Sequence, residues 1–316
     1  MFAWEELLDN KFLYYYLYAV RDAIISLSYG AGQPNISQDT IKTIKVPVSQ
    51  TNEQRRISQF LDAKCAQIDA IIEKQQQVIE KLKDYKQSVI TEAVTKGLDP
   101  TVPMKDSGVE WIGQISSTFR MNKLKYILKS RLQYGANESG VVFSEVLPRY
   151  IRITDITPDG DLKDDGKLSL PLEIASEYLL ADGDILFARS GATVGKTFIY
   201  NKAYGMSAFA GYLIRAVVGK KALAKFVYYF TLTSAYESWK NGIFIQATIQ
   251  NIGADKYSNM QIPVPSIQQQ SEIVEHLDKR CADIDSVIRS KQMVIDKLTD
   301  YKKSLIYEAV TGKMEV

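Results

Sequence analysis

Histidine is almost absent: His276 is the single copy in 316 residues. General acid–base schemes and multi-histidine metal sites draw on more than one such side chain or a clear partner. His276 falls near the start of a helical segment, where Phe60 occupies the matching place in an earlier copy, so it reads as a helix-packing residue. Cysteine is scarce too. Cys65 and Cys281 occupy equivalent positions in two copies of one segment, which points to reduced core thiols rather than a disulfide framework. No run of about 18 uncharged apolar residues occurs, so no transmembrane helix is indicated. The start, MFAWEELLDNKFLYYYLYAV, lacks the basic region and small-residue cleavage site of a signal peptide. A cytoplasmic location is expected. Neither sign of charge dominates: 39 basic against 37 acidic residues leave a net charge of +2. That excludes a generic polycation but not a protein that segregates a basic face. Asn-Pro-Pro and Asp-Pro-Pro tetrads, a glycine-rich strand–turn–helix for a nucleotide cofactor, Cys/His metal clusters and a nucleophile–base pair are all missing. A noncatalytic chain with no cofactor and no metal is expected.

What the chain does contain, it contains twice. Residues 60–97 and 276–313 align with 21 identities in 38 positions, at an offset of 216. In each copy apolar residues recur with a period of 3.5. Leu61, Ile68, Leu82 and Val89 alternate with Cys65, Ile72, Ile79 and Ala93 in the first. Leu277, Ile284, Leu298 and Leu305 alternate with Cys281, Ile288, Ile295 and Ala309 in the second. Sustained over about five heptads, this is a coiled-coil seam. A 45-residue helix would measure roughly 68 Å. Polar residues interrupt both seams at matching places, Gln75 and Lys86 against Lys291 and Lys302, which restricts register and orientation. Thr51 with Gln54, and Ser266 with Gln269, have the form of capping boxes at the helix starts. Gly97 and Gly312 stand where the helices should stop.

The repeat extends upstream of each helix. Ala31, Asn35, Ile36, Asp39, Pro47 and Val48 match Ala247, Asn251, Ile252, Asp255, Pro263 and Val264 at the same offset, and KFLYY at 11–15 matches KFVYY at 225–229 at an offset of 214. Residues 1–50 therefore correspond only to the last part of the block that runs from about 100 to 265. In that block GLDPTVPMKDSG (97–108) reads as a linker, and the runs RYIRI (149–153), DILFAR (184–189), KTFIY (196–200) and GYLIRAVV (211–218) read as strands separated by turns such as PDGD (158–161). Residues 221–240 read as one helix with an aromatic face, and 11–25 as its counterpart. The expected fold class is α+β: a mixed, mostly β domain plus two long helices pairing as a coiled coil. The expected divisions are a partial domain at 1–50, a helix at 51–97, a complete domain at 98–265 and a helix at 266–316.

ARSGATVGKT (188–197) looks like a phosphate loop but fails the pattern. Ser190 stands where the first glycine is required, and the segment joins two strands rather than opening a helix. A glycine-rich turn presenting Arg189, Ser190, Thr193 and Lys196 suits donors to a phosphate backbone or to base edges. Arg149 and Arg152 are further candidates for contact with nucleic acid. Lys123, Lys125, Lys129 and Arg131 form another basic cluster, and Lys220, Lys221 and Lys225 a third, although such runs are commonly solvated faces. Asn251 lies near Gln246 and Gln250, amides of the kind that pair with adenine, yet its match to Asn35 favours a structural role in the loop.

KDSGVEWIGQI (105–115), IRITDI (151–156), DILFARSGATVGK (184–196), the Pro-Val-Pro tract before a Gln-rich helix start (263–270) and the twice-used KLxDYKxSxIxEAVT are similar to the specificity subunit of Type I restriction–modification systems. The resemblance covers essentially the whole chain. It implies target recognition domains that each read half of a bipartite site in double-stranded DNA. It also implies that the two long helices pair as an antiparallel coiled coil that spaces the halves, with Leu61, Ile68, Ile72, Ile79 and Leu82 against Leu277, Ile284, Ile288, Ile295 and Leu298. Two methyltransferase subunits dock on such helices, and a restriction subunit can join. The first recognition domain departs from the family in lacking its first hundred or so residues. A second copy or a missing N-terminal half then becomes a further partner. The alternative is an assembly or competitor subunit that binds the methyltransferase without full DNA specificity.

Overall fold

The computed structural model describes residues 7–28, 35–157, 160–191, 193–245 and 251–316. Ala31 of the repeat, Gln246 and Gln250 of the amide loop, and residues 158–159 of the PDGD turn lie outside the described residues. The chain divides into two compact units, one of residues 1–83 with 284–316 and one of residues 84–283. Each long helix contributes to both.

Helices α1 (Asn10–Ala19), α2 (Arg21–Ser26) and α3 (Gln38–Lys42) precede the long α4 (Thr51–Lys96). The globular body then runs through β1 (Met104–Asp106), β2 (Gln114–Ser116), β3 (Arg120–Lys123), β4 (Gln133–Tyr134), β5 (Val141–Val142), β6 (Arg149–Ile151) and β7 (Leu168–Ser169). It continues with α5 (Leu172–Ala175), β8 (Ile185–Ala188), β9 (Thr197–Ile199), β10 (Ser207–Phe209), β11 (Leu213–Ala216), α6 (Ala224–Phe230), α7 (Ser234–Ile245), α8 (Ala254–Asn259) and β12 (Gln261–Val264), and α9 (Ile267–Val310) follows. The expected single helix over 221–240 is thus two. The break falls at Thr231 and Thr233, whose hydroxyls donate to the carbonyls of Tyr228 and Phe230, and Thr233 Oγ1 then accepts from the Tyr236 amide. Threonine side chains offer the backbone this alternative to helical bonding.

In the unit of residues 84–283, sheet β4-β11-β8-β9 is antiparallel throughout, and β10-β6-β7-β5 includes one parallel pair, β10 with β6. Phe187 and Ile214 of the first sheet pack into one core with Phe226 and Phe230 of α6, Tyr257 of α8 and Ile262 of β12. That core also takes in Ile90 and Val94 of α4 and Ile273 and Leu277 of α9. In the unit of residues 1–83 and 284–316, Phe12 and Tyr15 of α1 share a core with Leu61, Cys65 and Ile68 of α4 and with Leu305, Ile306 and Ala309 of α9. Lys302 pairs with Asp69 at 2.7 Å there. The early part of one long helix meets the late part of the other in each unit, so the helices run antiparallel. Every seam residue named from the heptads, Ile72, Ile79, Leu82, Ile284, Ile288, Ile295 and Leu298 included, is buried or half-buried. Both cysteines are buried, and neither forms a disulfide.

The same attachment is built in both units. Gln270 is wholly buried. Its Oε1 accepts from the Leu223 amide at 2.7 Å, and its Nε2 donates to the carbonyls of Pro265 (2.9 Å) and Lys221 (3.3 Å). Gln54, its equivalent, is wholly buried too. Its Oε1 accepts from the Asp9 amide at 2.8 Å, and its Nε2 donates to Ser49 (2.7 Å) and Leu7 (2.9 Å). One turn or two further along, Tyr229 and Lys225 of α6 donate to Asp278, as Tyr15 and Lys11 of α1 donate to Asp62. The hydrogen bonds from Lys11 and Tyr15 hold the Asp62 carboxyl below its ordinary range. Burial, reinforced by Asp62, pushes the Tyr15 phenol up.

Two expectations at the helix starts need correction. Ser266 and Gln269 do form a reciprocal capping box. Gln54 instead sends its side chain into the core to clamp the incoming chain. The equivalent of Ser266 is Gln50, whose carbonyl accepts the Gln54 amide, so Gln54 aligns with Gln270 and not with Gln269. His276 is exposed on α9, not packed, because the seam passes through its neighbours Ile273 and Leu277.

Replacing either Gln54 or Gln270 by alanine orphans one buried amide and two carbonyls, at about 1–3 kcal/mol for each group that water cannot reach. Chemical denaturation should show a comparable loss for the two variants, and a loss within error of zero would contradict the clamp. Asp62 sets a pH dependence of definite sign. Its folded pKa is depressed, so its contribution is complete above the unfolded carboxylate range and is lost as pH falls through the folded value. Thermal melts should therefore show Asp62→Asn losing stability at neutral pH and converging on the parent in acid.

Candidate nucleic-acid interface

Three chain segments meet where β4 ends, β8 ends and β11 begins. The register puts Ala188 opposite Leu213 and Tyr134 opposite Ile214, so the residues just beyond these strand ends share one edge. Two glycines let the backbones touch. A Cβ on Gly135 would lie 2.4 Å from the carbonyl oxygens of Phe209 and Ala210, and one on Gly211 would lie 1.9 Å from Asn137 Oδ1. The Gly211 amide donates to Ala136 O at 2.7 Å, and the Arg189 amide to Tyr212 O at 3.0 Å. A fourth segment joins from the start of α8. Ile252 donates to Arg189 O at 2.8 Å, and Ser190 bridges Asn251.

Arg189 sits at the middle of this edge. Its guanidinium carbon lies 4.9 Å from the centre of the Tyr134 ring. Tyr134 is itself fixed, its hydroxyl accepting from the Ala254 amide at 3.0 Å. Among the described residues the buried Nε of Arg189 meets no hydrogen-bond acceptor. Stacking on an aromatic face orients a guanidinium without consuming its N–H donors. Tyr212 (64% exposed), Asn137 and Asn251 stand around it in solvent. The edge therefore offers a fixed planar donor group beside exposed amide and aromatic side chains. Bidentate contact with a base edge uses this combination, and so does stacking on it.

The other residues singled out from the sequence are distributed unevenly. Ser190, Thr193 and Lys196 share the β8–β9 hairpin with Arg189. Lys196 reaches back to donate to Thr157 O at 3.3 Å, and the Thr193 carbonyl takes the Lys196 amide at 3.0 Å. This hairpin leads into strand β9 rather than opening a helix, as the failed phosphate-loop pattern implied. Arg149 and Arg152 lie on the other sheet. Arg149 is 8% exposed and donates to Lys163 O, and Arg152 grips Asp155 through Nε (3.0 Å) and Nη2 (2.7 Å) and donates to Gly166 O at 2.8 Å. Both guanidinium groups tie down the loop that follows β6. Lys123, Lys129, Arg131, Lys220 and Lys221 are exposed, Lys125 bonds Asn259 at 3.1 Å, and Lys225 is committed to Asp278. Burial raises the Asp184 carboxyl, against the pull of the Ala181 amide and Arg215 3.6 Å away, and all three groups brace the sheet behind the edge. No group of His, Cys, Asp and Glu able to hold a metal ion occurs among the described residues.

Sequence reading missed Tyr134, Asn137 and Tyr212. Their signal was the glycine beside each aromatic, in Tyr134-Gly135 and Gly211-Tyr212, which marks close backbone approach.

Comparison with known proteins agrees with the fold. The chain is 24% identical over 299 residues to the Type I restriction enzyme EcoKI specificity subunit of Escherichia coli (strain K12), covering 93% of this chain and 63% of that protein. It is 23% identical over 318 residues to the Type I restriction enzyme MjaVIII specificity subunit of Methanocaldococcus jannaschii, covering 98% of this chain and 72% of that one. It thus spans less than two thirds of the first of these. A solved structure concerned with complex assembly and conformational transition of the type I R-M system superposes with a TM-score of 0.72 at 16% identity, over 98% of this chain and 73% of that one. Residues 2–81 and 148–292, well over half of the sequence, match the family described as Type I restriction modification DNA specificity domain, and the chain belongs to that family.

Proposed function

We propose that the chain is the noncatalytic DNA-specificity subunit of a Type I restriction–modification complex, and that the edge around Arg189 reads bases in double-stranded DNA. The observation that carries this reading is the Arg189 guanidinium, held over Tyr134 at a surface ringed by Asn137, Tyr212 and Asn251. Arg189 is half-buried, and stacking leaves the guanidinium donors available for the acceptors of a base edge. Lys196 and Thr193 stand beside it for phosphate contact, together with the exposed Lys123, Lys129 and Arg131. Arg149 and Arg152 act in this reading as supports of the neighbouring loop. The paired α4 and α9 dock two methyltransferase subunits and space two half-sites, and a restriction subunit joins that assembly. The long helices support this part of the reading by repeating the same seam and the same attachment at both ends of the chain.

In complex with its methyltransferase, Arg189→Ala should weaken binding to a target duplex by about 10- to 100-fold and leave an unrelated duplex nearly unaffected. The target is found by mapping methylated adenines in the source genome. Lys129→Ala should weaken both duplexes alike and flatten the slope of affinity against salt by about one. Arg149→Ala should lower stability more than it lowers affinity. A wild-type complex that copurifies with methyltransferase but leaves no sequence-selective footprint would make the chain an assembly or competitor subunit instead.

Gly135→Ala gives a separate check on the edge. Its methyl would meet two backbone carbonyls, so overpacking of about 1–3 kcal/mol and loss of target selectivity should appear together. Selectivity retained at full strength would remove this edge from the DNA contact.

A further inference from the structure

Four arginines belong to the two four-stranded sheets. Arg149 and Arg215 lie on strands, and Arg152 and Arg189 each stand just past a strand end. Three of them are committed within the fold. Arg149 donates to Lys163 O, and Arg152 holds Asp155 and Gly166 O. Arg215 donates to Leu179 O at 2.6 Å and lies 3.6 Å from Asp184. Arg189 holds a ring instead, with Tyr134 4.9 Å from its guanidinium carbon. Among the described residues no carboxylate, carbonyl or amide takes its guanidinium hydrogens. Five N–H donors in a fixed fork therefore stay open to a ligand.

The fork is also held in place. The Arg189 amide donates to Tyr212 O and its carbonyl accepts from Ile252, so the backbone is fastened on both sides. The ring behind it is anchored through the Tyr134 hydroxyl, which accepts from the Ala254 amide. The neighbours decide what kind of ligand fits. Asn137, Tyr212 and Asn251 are uncharged, and Lys196 of the same hairpin is turned to Thr157 O. A phosphate is met by gathered positive charge and asks for no planar partner. A base edge offers acceptors lying in one plane, which a lone planar fork among neutral groups can match.

The four bases differ in what they show such a fork in the major groove. Guanine presents two acceptors side by side, O6 and N7. Adenine sets its N6 amino donor beside N7, cytosine shows the N4 donor, and thymine has one acceptor next to a methyl group. Only guanine takes two parallel N–H groups without facing a donor with a donor. We propose that Arg189 reads a guanine of the target through O6 and N7 from the major groove. The assignment depends on the edge around Arg189 reading DNA at all, as proposed above, and adds which base it takes.

The complex with methyltransferase would be titrated with its target duplex carrying one altered guanine at a time. 7-Deazaguanine lacks the N7 acceptor, and inosine lacks only the minor-groove amino group. At one guanine, 7-deazaguanine should weaken wild-type binding by about tenfold, and inosine there should change nothing. In the Arg189→Ala complex the same 7-deazaguanine should cost no further affinity. Arg189→Lys keeps the charge without the fork, so it should be equally blind to 7-deazaguanine while holding an unrelated duplex as the wild type does. Should the alanine variant fail to fold, the lysine variant carries the comparison. A wild-type complex that prefers its target, yet in which no 7-deazaguanine effect depends on Arg189, overturns the guanine assignment and leaves the edge reading some other group. Dependence on Arg189 at an inosine instead, or a target without guanine, overturns it too. A complex with no preference for its target overturns the broader reading and the guanine assignment together.

Discussion

Everything globular in this protein hangs on one buried glutamine in each unit. Gln270 receives the amide that leads into α6 and gives both its hydrogens to carbonyls of the chain entering α9. Gln54 does the same where α1 meets the start of α4. A helix start leaves backbone groups without partners, and a passing strand of chain leaves more. One amide side chain satisfies both sets at once, and only if the two backbones hold a single spacing. The aromatic helix is then fixed to the long helix by Phe226 or Phe12 below and by a carboxylate, Asp278 or Asp62, that takes a tyrosine and a lysine from above.

This attachment explains why the edge around Arg189 can be built from loops. The residues that meet at Arg189 come from four segments well separated in sequence, with little regular structure around them. They stay in place because α8 and β12, which supply Ile252 and the Tyr134 contact, are continuous with the chain that enters α9 past the Gln270 clamp. Glycine at 135 and 211 removes the side chains that would keep the other segments apart.

Much of the fold was legible in the sequence. The long helices follow from the heptad spacing, and their antiparallel pairing from the family resemblance. The body strands follow from short β-branched runs between turns, and the β8–β9 hairpin from a phosphate-loop pattern that lacks both its glycine and its helix. Less legible was whatever depends on which group a side chain meets across the chain. Gln54 has the spacing of a capping residue, and its true partners lie 45 and 47 residues away. Arg149 and Arg152 read as surface cations, yet both bond carbonyls of the loop beyond β6, and Arg152 also pairs with Asp155. Tyr134 and Tyr212 were lost among nineteen tyrosines. Their place on the edge comes from the strand register; the neighbouring glycines mark close approach but not what is approached. His276 went wrong for the opposite reason: its match to Phe60 imposed a packing role on a position that each copy treats separately.

The clamp and the edge around Arg189 share none of these residues. Gln270, Asp278, Lys225 and Tyr229 hold the body to its helix, while Tyr134, Asn137, Arg189 and Tyr212 face outward from the far ends of strands. Substitutions that refashion the outward set leave the fastening intact. The protein can therefore drift toward a new surface preference one side chain at a time, with its mounting unchanged throughout.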